Sequence, residues 1–164
     1  MKMHLSREGS IAAFLVGFAM VFATFFFAGP ASAQSDRYVN EATGNDTTND
    51  CTDQMNPCAT ITHAISEADA SDTIIVEAGT YEENVTIDKT LTLEGAFADV
   101  DGNDGSRGTD ESIIDGSTVG PTPITIDAPN VVINGFTISV TRDGSTVYGI
   151  FVDGANGAHD AIIK

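Results

Sequence analysis

From Asp72 onward the chain is written in β-branched runs of three or four residues, each cut off by Gly, Asp or Asn. The runs include Thr73-Ile74-Ile75-Val76, Val85-Thr86-Ile87, Leu91-Thr92-Leu93, Ile113-Ile114, Ile124-Thr125-Ile126, Val131-Val132-Ile133, Phe136-Thr137-Ile138, Gly149-Ile150-Phe151-Val152 and Ala161-Ile162-Ile163. They are too short for ordinary sandwich strands, and hairpin punctuation at regular spacing is missing. Brief strands joined by sharp turns point to a β-solenoid, in which one coil buries its apolar positions only by stacking on the next.

A recurring signature supports this reading. An apolar residue, then Glu, Asp or Asn, then Gly occurs at Leu93-Glu94-Gly95, Ile114-Asp115-Gly116, Ile133-Asn134-Gly135 and Val152-Asp153-Gly154, with the glycines 21, 19 and 19 residues apart. A period of about 20 would place Leu93, Ile114, Ile133 and Val152 in one interior row, with Gly95, Gly116, Gly135 and Gly154 as the repeat turn positions. A second register pairs Asn130-Val131-Val132-Ile133 with Asp160-Ala161-Ile162-Ile163, 30 residues later, and implies longer coils. The sequence leaves the register open.

Before the runs lies one amphipathic helix. Asn56 and Pro57 have the chemistry of an N-cap and first helical residue. Cys58, Ile61, Ala64, Ile65 and Ala68 then share one helical face, opposite Thr60, His63, Ser66 and Glu67. The spacing predicts a helix over about 57–70, following a strand at Arg37 to Asn40 and an Asn/Asp/Thr-rich loop.

The N-terminus reads as an export signal. Lys2 and Arg7 precede an uncharged 18-residue run, Ile11 to Ala28, and Ala31-Ser32-Ala33 offers a small-x-small cleavage site. The same run is long enough to span a bilayer, so a retained anchor is the alternative. The expected organisation is therefore 1–33 signal peptide, 34–72 strand, loop and helix, and 73–164 β-coils that continue past Lys164. Both cysteines, Cys51 and Cys58, fall in the exported part, where an oxidising compartment makes a structural disulfide the expected state. A metal site is the weaker reading, because the two cysteines lack an obvious nearby His.

Charge excludes one class of partner. The chain carries 24 Asp and Glu against 7 Lys and Arg, a net charge of -17. Loss of residues 1–33 removes Lys2, Arg7 and Glu8 and leaves 5 cations and 23 anions on 131 residues, or -18. Such a chain has no basic face for nucleic acid. Its charge also disfavours anionic membrane surfaces and unneutralised polyuronates.

The motifs taken together resemble the N-terminal part of secreted bacterial right-handed parallel β-helix proteins of the pectin-lyase-like superfamily. The resemblance is carried by Tyr38-Val39-Asn40, Gly44-Asn45-Asp46, Asn56-Pro57-Cys58-Ala59-Thr60-Ile61, Asp72-Thr73-Ile74-Ile75-Val76, Gly79-Thr80-Tyr81, Glu83-Asn84-Val85-Thr86-Ile87, Leu91-Thr92-Leu93-Glu94-Gly95 and Ile113-Ile114-Asp115-Gly116. It implies an all-β, right-handed parallel β-helix whose first coil edge is hidden by an N-terminal amphipathic capping helix. It implies function less sharply, since such proteins include lyases, hydrolases, esterases, epimerases and adhesins.

Catalytic signatures implied by the resemblance are missing: the Asn-Thr-Asp, Asp-Asp, Gly-His-Gly and Arg-Ile-Lys segments of polygalacturonase-like members do not occur, and Gln34 and Gln54 lie outside the coils. Lys89, Arg107, Arg142 and Lys164 sit in no lyase-like segment and read as solvated surface residues. No nucleophile is placed with His63 or with His159, which adjoins Asp160. The sequons at Asn45 and Asn84 receive no role. The acidic segment from Asp99 to Glu111 approaches a Ca2+ loop, but Asp104 stands where the turn needs Gly and Asp110 where a bidentate Glu belongs. No catalytic residue, cofactor or metal ligand is therefore assigned, with Ca2+ as the lesser alternative. The expectation is an exported module with a surface, adhesion or carbohydrate-binding role, whose partner is a polysaccharide or cell-surface glycan. The alternative is the leading part of a polysaccharide lyase or glycoside hydrolase.

Overall fold

The computed structural model describes residues 33–98, 100, 108–120, 122–140 and 148–164. The expected signal segment, apart from Ala33, and most of the Asp99–Glu111 segment lie outside the described residues. Strand β1 (Asp36–Val39) is followed by the helix α1 (Ile61–Glu67) and by β2 (Thr73–Val76), β3 (Gly79–Tyr81), β4 (Val85–Ile87) and β5 (Thr92–Glu94). The chain continues through β6 (Ser112–Asp115), β7 (Ile124–Ile126), β8 (Val132–Asn134), β9 (Phe136–Ser139), β10 (Ile150–Val152), a single 3₁₀ turn (Gly154–Asn156) and β11 (Ile162–Ile163).

All of these strands pair in parallel, in three sheets filled in rotation. The first has the order β1-β2-β5-β8-β11, the second β3-β6-β9 and the third β4-β7-β10. From β2 to β8 each strand therefore lies beside the strand three places later in the chain. Alternation turns every second residue inward. Ile74, Leu93 and Ile133 stack in register and are fully buried, as are Tyr81 on Ile114, Val85 on Ile124 and Ile87 on Ile126. Each such aliphatic side chain contributes roughly 1.5–3 kcal/mol by leaving water. These interior rows run on into Ile138, Ile150, Val152 and Ile163, of which Val152 and Ile163 are exposed.

The register corrects the 20-residue period. Leu93 stacks on Ile133, but Ile114 belongs to the second sheet and Val152 to the third. Gly95 and Gly135 therefore sit one above the other, Gly116 follows a strand of another sheet, and Gly154 follows a strand of the remaining one. The longer register holds: Val132 pairs with Ile162 and Ile133 with Ile163. Its turn chemistry is shared, because Ser71, Asn130 and Asp160, each two residues before a strand of the first sheet, adopt positive φ of 78°, 54° and 55°. Asn and Asp tolerate that region better than most residues, so this turn is the structural repeat that the glycine spacing obscured.

The end of the first sheet beyond β1 is closed by the disulfide loop. Tyr38 N donates to Cys51 O (2.8 Å), Cys58 N to Tyr38 O (2.9 Å) and Asn40 N to Cys58 O (2.9 Å). The loop, rather than the helix, thus takes the exposed backbone groups that would make β1 a pairing hazard. α1 packs against β1 and β2 of the first sheet and against β4 at the edge of the third.

The helix is shorter than its periodicity suggested. Thr60 is the N-cap, accepting from His63 N through its hydroxyl, while Pro57 stays in the loop and its carbonyl accepts from Asn45 N. The predicted apolar face is intact, with Cys58, Ile61, Ala64, Ile65 and Ala68 all buried. Seven residues are too few to hold a helix in water, so both ends are anchored from outside. Asp46 accepts from Ala59 N (2.7 Å) and the Thr60 hydroxyl (2.8 Å), and Glu83 accepts from the N–H groups of Ile61 (2.8 Å) and Thr62 (2.9 Å). At the other end Lys89 Nζ donates to the carbonyls of Ile65 (2.9 Å) and Ala68 (3.0 Å). Lys89 is therefore half-buried, not the solvated cation expected of it. Lys89→Met should lower stability by about 1–2 kcal/mol in urea melts. An unchanged midpoint would mean that water serves those carbonyls equally well.

Candidate functional site

Buried polar groups gather at the helix-covered end. Arg37 continues the interior row of Ile74 and Leu93, and Asp72 lies on the same inward face, two residues before Ile74. Both are buried, and Arg37 Nε and Nη2 each donate to Asp72 Oδ2 at 3.1 Å. Arg37 Nη1 also donates to Asp50 O (2.6 Å), tying the disulfide loop to the same layer. The pair uses its hydrogen-bonding capacity internally and offers nothing to a substrate.

The Cys51–Cys58 disulfide is formed, with Cα atoms 5.1 Å apart, and both residues are inaccessible to solvent. His63 Nε2 lies 2.9 Å from Asn49 O, which fastens the helix to this loop. The folding thus brings His63 beside the two sulfurs, a proximity the sequence did not reveal. These three residues are the one group of potential metal ligands among the described residues whose donor atoms converge, all within 4.8 Å.

Two shallow clefts flank the first strands. One, of about 280 Å³, is lined by Glu41, Thr80, Tyr81, Glu82 and Glu83. Burial pushes the Tyr81 phenol up to about 12, helped by the charges of Glu77, Glu41 and Glu83 and opposed by a backbone hydrogen bond at Glu41, so it stays protonated and donates to Glu77 O (2.9 Å). Glu83 is committed to the helix N–H groups, and Glu41 and Glu82 are the other two carboxylates in the lining of this cleft. The other, of about 470 Å³, has Ile75, Glu77, Ala78, Glu94 and Ala96 among its walls, and Asn40 Nδ2 donates to Glu77 (2.6 Å).

The outer face of the third sheet is different in character. Thr86, Thr125 and Phe151 stand in register on it, between the inward-facing rows of Val85 and Ile87. Tyr148 packs against Phe151 with ring centroids 5.9 Å apart and planes tilted by 57°. The two rings remain 51% and 41% exposed. Because Phe151 points outward from its strand, its exposure is a property of the surface and not of an unfilled interior. Beside this row, Asp88, Asp127 and Asp153 each follow a strand of the sheet, linked by Asp127 N to Ile87 O and Asp153 N to Ile126 O, both 2.8 Å. Asp153 accepts from Ala155 N (2.9 Å), capping the 3₁₀ turn.

The remaining sequence candidates disperse. His159 Nδ1 meets Asp160 Oδ2 at 2.9 Å on an open surface, and no third group completes a catalytic set with it among the described residues. Asn84 donates to Val119 O (2.8 Å), and Lys164 is exposed. Arg107 and Arg142 lie outside the described residues. The aromatic pair escaped sequence reading because Tyr148 and Phe151 are three apart, a spacing that puts side chains on opposite faces of an extended strand; they meet because Tyr148 precedes β10.

The class is thus an all-β protein of parallel sheets filled in rotation, with one short helix and a disulfide-closed loop at one end. Within that class the chain belongs to the family described as proteins of unknown function, DUF1565, whose model matches residues 42–162. No curated protein and no solved structure matches it.

Proposed function

We propose that this chain is an exported right-handed parallel β-helix module of the pectin-lyase-like kind that holds a neutral saccharide on the outer face of its third sheet. The carrying observation is the Tyr148–Phe151 pair, two exposed rings in contact, with Thr125 and Thr86 in register beside Phe151 on the parallel sheet. A pyranose ring presents C–H groups to an aromatic face and hydroxyls at its rim, which suits apolar rings next to short polar side chains. The net charge of -17 weighs against uronate polymers and in favour of uncharged glycans. The rotation of strands among three sheets supports the β-helix, while the basic, apolar, small-residue N-terminus and the disulfide support export.

Retention on immobilised neutral and acidic polysaccharides tests this reading. Binding to a neutral polymer should weaken about 10-fold or more in a Tyr148→Ala, Phe151→Ala double variant, since truncated aromatic anchors commonly cost about 2 kcal/mol. Equal retention of wild type and variant, with unchanged circular dichroism, would remove the site. Shortening of the polymer during the assay would instead favour a lyase or hydrolase.

A further inference from the structure

We propose that the Cys51–Cys58 loop doubles as a metal site: once its disulfide is reduced, the two thiolates and His63 Nε2 bind one thiophilic divalent cation, with Zn2+ the best match. The three donor atoms already lie within 4.8 Å of one another in the folded chain. Two Cys and one His with a fourth position left to another donor is a set that Zn2+ accepts, with bonds of about 2.0–2.3 Å. Sulfurs on one tetrahedral ion sit roughly 3.8 Å apart. With the Cα atoms 5.1 Å apart, side-chain rotation supplies that spacing without moving the backbone.

The loop does not depend on the sulfur–sulfur bond alone for its position. Backbone bonds join Cys51 and Cys58 to Tyr38, and Asn49 Nδ2 donates to the carbonyls of Asn45 (2.9 Å), Asn56 (3.0 Å) and Pro57 (2.9 Å). His63 is fixed on α1, whose ends are pinned by Asp46, Glu83 and Lys89. Ligands held by separate elements stay convergent when the disulfide opens, and such preorganisation favours chelation. Asn49 O, 2.9 Å from His63 Nε2 and 3.9 Å from Cys58 Sγ, borders the remaining position. The soft sulfur and imidazole donors select against Ca2+.

Opening the site needs a two-electron reductant. With a water-soluble phosphine, phosphorus supplies the electron pair that breaks the S–S bond, takes oxygen from water as phosphine oxide, and leaves water's two protons on the sulfurs. Metal binding then releases those two protons; the imidazole proton moves to Nδ1, the Nε2–H bond to Asn49 O is given up, and Nε2 donates its lone pair to the metal. Co2+ is the probe. The phosphine-reduced chain should take up one Co2+ with thiolate-to-cobalt charge-transfer and tetrahedral visible bands, which Zn2+ then abolishes. The oxidised chain should show neither, and His63→Ala should weaken Co2+ binding at least about 10-fold. Reduced protein that gives no such bands, whether its circular dichroism is native or lost, would overturn the proposal. So would a His63→Ala variant that binds Co2+ as tightly as wild type.

Discussion

Asp72→Ala should cost about 3–5 kcal/mol of folding stability, because it leaves the Arg37 guanidinium buried without its counter-ion. The side chains are only 10% and 1% exposed, so water cannot take over the lost contacts. Asp72 also accepts from the backbone N–H groups of Ser35 (2.8 Å) and Asp69 (3.0 Å), and both of those donors would lose their acceptor. Urea denaturation with a common m-value measures the change. A loss below about 1 kcal/mol would show that the layer relaxes or admits water. Replacing both partners with apolar residues, Arg37→Met with Asp72→Leu, should be much milder than either single change, since neither charge is then stranded.

The same pair fixes an acid limit. Burial alone would raise the Asp72 pKa, but the N–H groups of Ser35 and Asp69 and the Arg37 guanidinium outweigh it and hold the carboxyl below its ordinary 3.8. A pKa lower in the folded state means that the unfolded chain binds the proton more readily. The contribution is therefore fully present above about pH 3.8 and fades as pH falls through the folded-state value. Asp72→Asn should flatten that part of the stability–pH curve.

Gly135→Ala is the second severe change expected. Gly135 has φ of 78°, and a Cβ there would lie 2.2 Å from Ala98 N and 2.5 Å from Phe97 C, both backbone atoms. Left-handed strain adds about 1–2 kcal/mol and forced overpacking about 1–3, so a loss near 3 kcal/mol should appear in thermal or urea melts. Gly154→Ala is the matched control, because nothing lies within 4 Å of its Cβ position and its φ is not positive. Similar melts for the two variants would contradict the close approach of the Gly135 turn to the Phe97–Ala98 segment.

That contrast also explains which parts of the architecture were legible. Gly135 and Gly154 stand in the same apolar-polar-Gly pattern, yet one is pressed against the Phe97–Ala98 backbone and the other faces open space. The pattern marks the exit from an inward-facing strand position, and such exits occur in all three sheets; it therefore reports strands correctly and their register wrongly. The helix face was readable because burial of Ile61, Ala64 and Ile65 follows from periodicity alone. Its start was not, since Pro57 is held by Asn45 and Asn49, contacts made across a loop. The disulfide followed from two cysteines and the expectation of export, whereas His63 beside it, Lys89 at the helix end and the Tyr148–Phe151 surface depend on how separate segments meet.

The unequal spacing of stacked strands has a consequence for how such a chain can change over generations. Nineteen residues separate Thr73 from Thr92, forty separate Thr92 from Val132 and thirty separate Val132 from Ile162, although all four share one column. Doubling a flexible connection costs only about 0.6 kcal/mol of closure entropy, while a one-residue slip within a strand would turn its buried side outward. Insertions and deletions can therefore accumulate between strands and leave the wall behind them unaltered, so relatives of unequal length can share a single architecture.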